Sequence, residues 1–156
     1  MQTESTSVSP KILLVYFSHT GRTCEVAHFI SQAIDCDIEQ IRPVKQYTDD
    51  LFLLKDQIRT CSHDVLPPIH KPEHDITQYG TVILGTPVWN NSVPPPVMSY
   101  IRTVDWRGIR IHPFMSCGGI YMFAYNKLIN VCKGASFGAP LFLIYDINGR
   151  FIGASW

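Results

Sequence analysis

The residues with the clearest chemical potential fall in three short stretches. The first is Ser18-His19-Thr20-Gly21-Arg22-Thr23, directly after the apolar run KILLVYF (11–17). Ser18, Thr20 and Thr23 each offer a hydroxyl donor. Gly21 lets the backbone approach a ligand closely and take an unusual turn. Placed where a strand hands over to a helix, such a loop adds several backbone N–H groups and the positive end of the helix dipole. The chemistry that fits is one terminal phosphate monoester, held mainly by neutral donors. There is no lysine and no G-x-x-x-x-G-K-[ST], which excludes a nucleoside-triphosphate loop, and G-x-G-x-x-G is absent too. The plainer alternative is a helix cap, for which one of the three hydroxyls would suffice.

The second stretch is Thr86-Pro87-Val88-Trp89-Asn90-Asn91, followed by Pro94 to Pro96. The setting of the indole, between a proline turn and two asparagines, makes a core aromatic the less fitting reading. The third is Ser116-Cys117-Gly118-Gly119. Cys117 has no second cysteine nearby and no evident activating cation, so a buried structural thiol is the favoured reading over a redox one.

These stretches need a scaffold, and the hydrophobic pattern supplies one. Residues 11–17, 81–85, 109–115 and 140–147 are apolar runs of the kind that form strands buried on both faces. Helical spacing appears over 22–34, in VMSYIRTV after the prolines and around 124–132, with a weaker helix near 49–60. Residues 37–42 alternate like an exposed edge strand, 62–74 reads as a loop, and Asn148-Gly149 as a hairpin turn before RFIGASW. Residues 1–10 read as a flexible tail and 11–156 as one domain. Strands separated by helices imply a parallel sheet covered on both faces, with the ligand crevice at the carboxyl ends of the strands. All three chemical stretches converge there.

Composition narrows the field. Thirteen basic residues balance thirteen acidic ones, so nothing steers the chain toward nucleic acid or an acidic membrane surface. Neither partner is expected. No apolar run reaches the length of a membrane span, and MQTESTSVSP is no signal peptide. The five cysteines, at 24, 36, 61, 117 and 132, show no C-x-x-C spacing, and the six histidines no metal spacing. A metal site is not indicated, and the expected location is cytoplasmic.

YFSHTGRT after a buried strand resembles the phosphate loop of the flavodoxin-like family. LGTPVWNNSVPPPV is similar to the loop that this family sets against its flavin ring, IRPVKQYTDD to its second-strand segment, and SCGG to its third loop. The likeness runs from about residue 11 to 135. It implies an α/β flavodoxin-like three-layer sandwich with a five-stranded parallel sheet in the order 2-1-3-4-5, and FMN as cofactor. It also implies site roles. Ser18, His19, Thr20, Gly21, Arg22 and Thr23 would surround the phosphate. Thr86, Pro87, Val88, Trp89, Asn90 and Asn91 would flank the ring, and Ser116, Cys117, Gly118 and Gly119 would close its other side. No catalytic acid or base is needed.

The chain also departs from that pattern. Asn90-Asn91 stands where the family often has a tryptophan and a glycine, and asparagine tolerates the positive φ that such a turn needs. Tyr121, Phe123 and Tyr125 follow the third loop and would cover the flavin, fill its pocket, or belong to the core. RFIGASW shows no pattern for the family's closing helix. Without it an apolar sheet face stays uncovered, so a homodimer is expected. The leading function is FMN-based electron transfer with a redox partner protein or a small electron acceptor. The alternatives are an FMN-dependent NAD(P)H or quinone oxidoreductase, and a flavin-free binding module.

Overall fold

Leu13, Leu14 and Val15 are fully buried in the central strand β1 (Ile12–Tyr16), which explains why the run is apolar on both of its faces. A computed structural model describes residues 11–61 and 65–156 of the chain. The expected tail, and residues 62–64 of the expected loop, lie outside these residues.

β1 is joined by β2 (Asp37–Gln40), β3 (Thr81–Pro87), β4 (Arg110–Cys117), β5 (Ser136–Phe137), β6 (Leu141–Tyr145) and β7 (Phe151–Ser155). The sheet order is β2-β1-β3-β4-β6-β7, with the two-residue β5 pairing on β4. All pairings are parallel except that of β6 with β7. The expected order 2-1-3-4-5 is therefore present, its fifth strand being β6. The expected count of five is corrected to seven by the short β5 and the antiparallel β7. After β6 the chain turns at Asn148-Gly149 and forms β7, and no helix lies between β6 and Ser155.

Among the described residues the α-helices are α1 (Arg22–Ala33), α2 (Leu51–Arg59), α3 (Pro95–Arg102) and α4 (Met122–Val131), of which α1, α3 and α4 pack on the sheet. The side-chain alternation of the strands divides the core in two. Leu13, Val15, Val82, Leu84, Ile111 and Met115 form one cluster with Val97 and Ile101 of α3 and with Ala124 and Leu128 of α4. Leu14, Tyr16 and Phe114 pack with Ala27 of α1 on the other face. Gly85 is required where it stands, because a Cβ there would lie 2.1 Å from the Phe114 ring.

β2 is the edge strand that its alternation suggests, with Asp37 and Gln40 exposed and Glu39 buried. Residues 68–74 run beside the segment that follows it, with Val44 N–H donating to the Pro68 carbonyl at 3.0 Å and His70 N–H to that of Arg42 at 2.8 Å. The buried Glu39 carboxylate accepts from the backbone N–H groups of Glu73 and His74, and meets His74 Nδ1 at 3.0 Å. The proline-rich segment is thus a strap, fastened to the Glu39 side chain and to residues 42–44 beside this edge. No helix among the described residues is long and apolar enough to cross a membrane.

Candidate functional site

A cleft of about 160 Å³ opens at the carboxyl ends of β1, β3, β4 and β6. His19, Thr20, Arg22, Thr23, Pro87, Val88, Trp89, Ser116, Cys117 and Gly118 line it, so the three expected loops do converge. The loops are fastened to one another by short bonds. Thr23 Oγ1 and Ser116 Oγ lie 2.9 Å apart, and Val88 N–H donates to the Ser116 carbonyl at 2.9 Å.

The start of α1 discriminates between the two readings of the first loop. A working cap is present on α2, where the Asp50 carboxylate accepts from the N–H groups of Phe52 at 2.9 Å and Leu53 at 3.0 Å. On α1 the N-cap is Gly21, in the left-handed region at φ 94°, and no side chain caps the helix. Three hydroxyls stand around that terminus and none closes it. The Ser18 Oγ is buried and has no hydrogen-bond partner. Buried hydroxyls are almost always paired, so a bare helix start beside an orphaned donor fits an anion and does not fit a simple cap. A Cβ on Gly21 would meet nothing within 4 Å, which leaves open space over the turn.

Trp89 stands at the other end of the cleft. Its indole is held edge to face by Phe17, His19 and Tyr47, at centroid distances of 5.4, 5.6 and 5.1 Å. Asn90 and Asn91 both have positive φ, at 48° and 56°, and Trp89 and Ser92 exchange backbone hydrogen bonds around them. This is the tight two-residue turn that asparagine permits. It turns Asn90 and Asn91 away from the cleft, which neither residue lines. Ser18, Gly21, Thr86 and Gly119 do not line it either. Ser18 and Gly21 lie in the turn at the start of α1, with the Ser18 hydroxyl unpartnered there, and Thr86 is fully buried with its hydroxyl donating to the Pro87 carbonyl at 2.9 Å.

The aromatic run after the third loop does not fill the site. The Tyr121 ring stacks on Phe142 at 4.0 Å, Tyr125 meets the same ring edge on at 5.6 Å, and Phe123 is exposed. None of the three lines the cleft. Cys117 lines it as a buried thiol, and burial pushes its ionisation up, against an opposing hydrogen bond from the Gly119 backbone. It is a neutral wall there, as its isolation in the sequence suggests.

Two lining residues, Tyr145 and Asp146, are missed by the sequence reading. The Arg22 guanidinium lies 5.5 Å above the Tyr145 ring, and a Cβ on Gly149 would lie 2.0 Å from Arg22 Nη2. The β6–β7 turn therefore seats the one cation of the first loop. The available signal was positional: 140–147 ends on the same side of the sheet as the other three strands, so the residues after it also face the crevice. Among the described residues no cluster of histidine, cysteine or carboxylate side chains has the geometry of a metal site.

The family model described as flavodoxin matches residues 11–139. A candidate flavoprotein from Bacteroides uniformis ATCC 8492 is similar in structure, with 26% identity, a TM-score of 0.77, and coverage of 88% of this chain and 92% of that one. A flavoprotein from Lactobacillus acidophilus NCFM, solved in complex with FMN, has 20% identity and a TM-score of 0.73 over 85% of this chain and 92% of its own. Oxidised flavodoxin 1 from Bacillus cereus has 22% identity and a TM-score of 0.52, over 89% and 88% of the two chains. The latter two likenesses bear on the fold. No curated protein matches the chain.

Proposed function

Since this chain belongs to the flavodoxin family, we propose that it binds FMN in the cleft and works as an electron-transfer flavoprotein. The observation that carries the reading is the uncapped start of α1 beside the partnerless Ser18 hydroxyl. A terminal phosphate there receives the first N–H groups of α1, the Ser18 hydroxyl and the Thr20 hydroxyl, with Arg22 alongside. Thr23 and Ser116 hold the first and third loops at a fixed separation. Trp89 bounds the cleft at the second loop, where its three ring neighbours restrict its orientation.

When bound, the flavin supplies the redox chemistry, and the protein supplies binding, orientation and exclusion of water. Docking of a redox partner has an apolar surface beside the third loop, where Ile120, Met122 and Phe123 are exposed. A formal net charge of zero agrees with an apolar contact rather than long-range steering. The cytoplasm, a reducing compartment, suits five free thiols.

Self-association belongs to the same proposal. β7 is an edge strand with Phe151 and Ile152 exposed, and such an edge pairs readily with a second copy of itself. A chain with no net charge does not oppose that pairing.

The reductase reading is favoured by one feature, the open cleft left when Tyr121 and Tyr125 turn onto Phe142. Titration of the purified protein with FMN, followed by absorbance and by quenching of flavin emission, tests the binding. Saturable quenching at micromolar FMN is expected, and its absence refutes the proposal. Reduction of the bound flavin by NADPH alone, at a catalytic rate, would replace the carrier with the reductase.

A further inference from the structure

Trp89 has a second cavity behind it. About 170 Å³ of space lies between the Trp89–Ser92 turn, the end of α2 and α3, and its lining is mainly apolar, with Leu66, Val93 and Met98 contributing. Arg102 and Lys127 also line it, and among the described residues no carboxylate does. The Lys127 ammonium is half-buried and donates to Ser92 Oγ at 3.0 Å. Among the described residues it has no carboxylate within ion-pair distance.

The chemistry of such a chamber is selective. An ammonium has three donors, and here one is used by a neutral hydroxyl. Apolar walls keep the local dielectric low, so an anion brought to Lys127 is held more firmly than on an open surface. The same walls reject a small, strongly hydrated anion, which would lose its water without apolar contacts in return. A cavity of about 150 Å³ accepts a benzene ring, and this one is of similar volume with a cation at its wall.

We propose that this cavity binds a small apolar carboxylate, an aromatic or branched aliphatic acid. Its hydrocarbon body packs against Val93 and Met98, and its carboxylate is bound by Lys127. Trp89 lines both this cavity and the cleft, so the ligand sits directly behind the wall of the cleft. The site is built from protein groups alone and does not depend on the flavin.

The test uses protein labelled with ¹³C at the methionine methyls and titrated with benzoate, without and with FMN. The four methionines are Met1, Met98, Met115 and Met122. A saturable shift of the Met98 methyl is expected, with Met115 unmoved because it lies buried in the sheet. Benzyl alcohol, which has the ring without the charge, is expected to bind at least tenfold more weakly. Lys127→Leu is expected to weaken benzoate by at least tenfold while its thermal melt and its methyl spectrum stay close to those of the parent. No Met98 shift at millimolar benzoate overturns the proposal, and so does equal affinity for benzoate and benzyl alcohol. Loss of the Met98 response when FMN is added would place benzoate in the cleft, and would overturn it too.

Discussion

The hydroxyls of Thr23 and Ser116, 93 positions apart in the chain, meet at 2.9 Å and are both buried. One belongs to the first turn of α1 and the other to the end of β4, so a single hydrogen bond sets the width of the cleft between the first and third loops. Removing one partner leaves the other unsatisfied in a dry place. Thr23→Val is expected to cost about 1–3 kcal/mol of stability and to weaken FMN. Denaturant unfolding measures the first effect and a flavin titration the second.

Ser18 separates a ligand role from a structural one. Its buried hydroxyl has no partner in the protein, so Ser18→Ala is expected to leave the apoprotein as stable as before or slightly more so. A hydrogen bond to a charged group contributes about 1.5–3 kcal/mol, which predicts FMN affinity reduced by about tenfold to a hundredfold. Riboflavin, which lacks the phosphate, should bind both proteins alike. Equal loss for FMN and riboflavin would remove Ser18 from the phosphate site.

Gly21 is a conformational requirement, since its φ of 94° disfavours any side chain although space for a Cβ is free. Gly21→Ala is expected to cost about 1–2 kcal/mol. In a chain of this size that lowers Tm by roughly 2–8 °C. Differential scanning calorimetry of the apoprotein reads it directly.

The buried thiols predict the alkaline limb of the stability curve. Burial pushes Cys132 up to about 12 and Cys117 upward as well. Both are acids whose folded value exceeds the unfolded one, so their neutral form is favoured in the fold. Their contribution is complete below an unfolded thiol value of about 8.5 and is lost as pH rises from there toward about 12. Stability should therefore fall across that window, and less steeply in Cys132→Ala. Alkylation by iodoacetamide at pH 8 should leave Cys117 and Cys132 until last.

Self-pairing through β7 is checked by light scattering. Ile152→Lys places a charge on an exposed edge position, and edge charges oppose pairing. The parent is expected to elute as a dimer and the variant as a monomer with an unchanged melt. A monomeric parent would remove the dimer from the proposal.

The sequence determined what depends on local order and periodicity. Apolar runs that need burial on both faces became the central strands. Three loops of hydroxyl, glycine and indole residues followed from their places at strand ends, and Asn90-Asn91 from the positive φ that asparagine accepts. The tertiary structure decided what depends on residues far apart. RFIGASW became an antiparallel strand because β6 offered it an open edge. Residues 68–74 became a strap because the buried Glu39 carboxylate needed the N–H groups of Glu73 and His74. Tyr121 and Tyr125 left the cleft clear because Phe142, some twenty residues on, gave their rings a surface to pack on. Tyr145 and Asp146 joined the site for the same reason: a cleft at the ends of parallel strands is assembled by the sheet, and no single stretch of chain contains it.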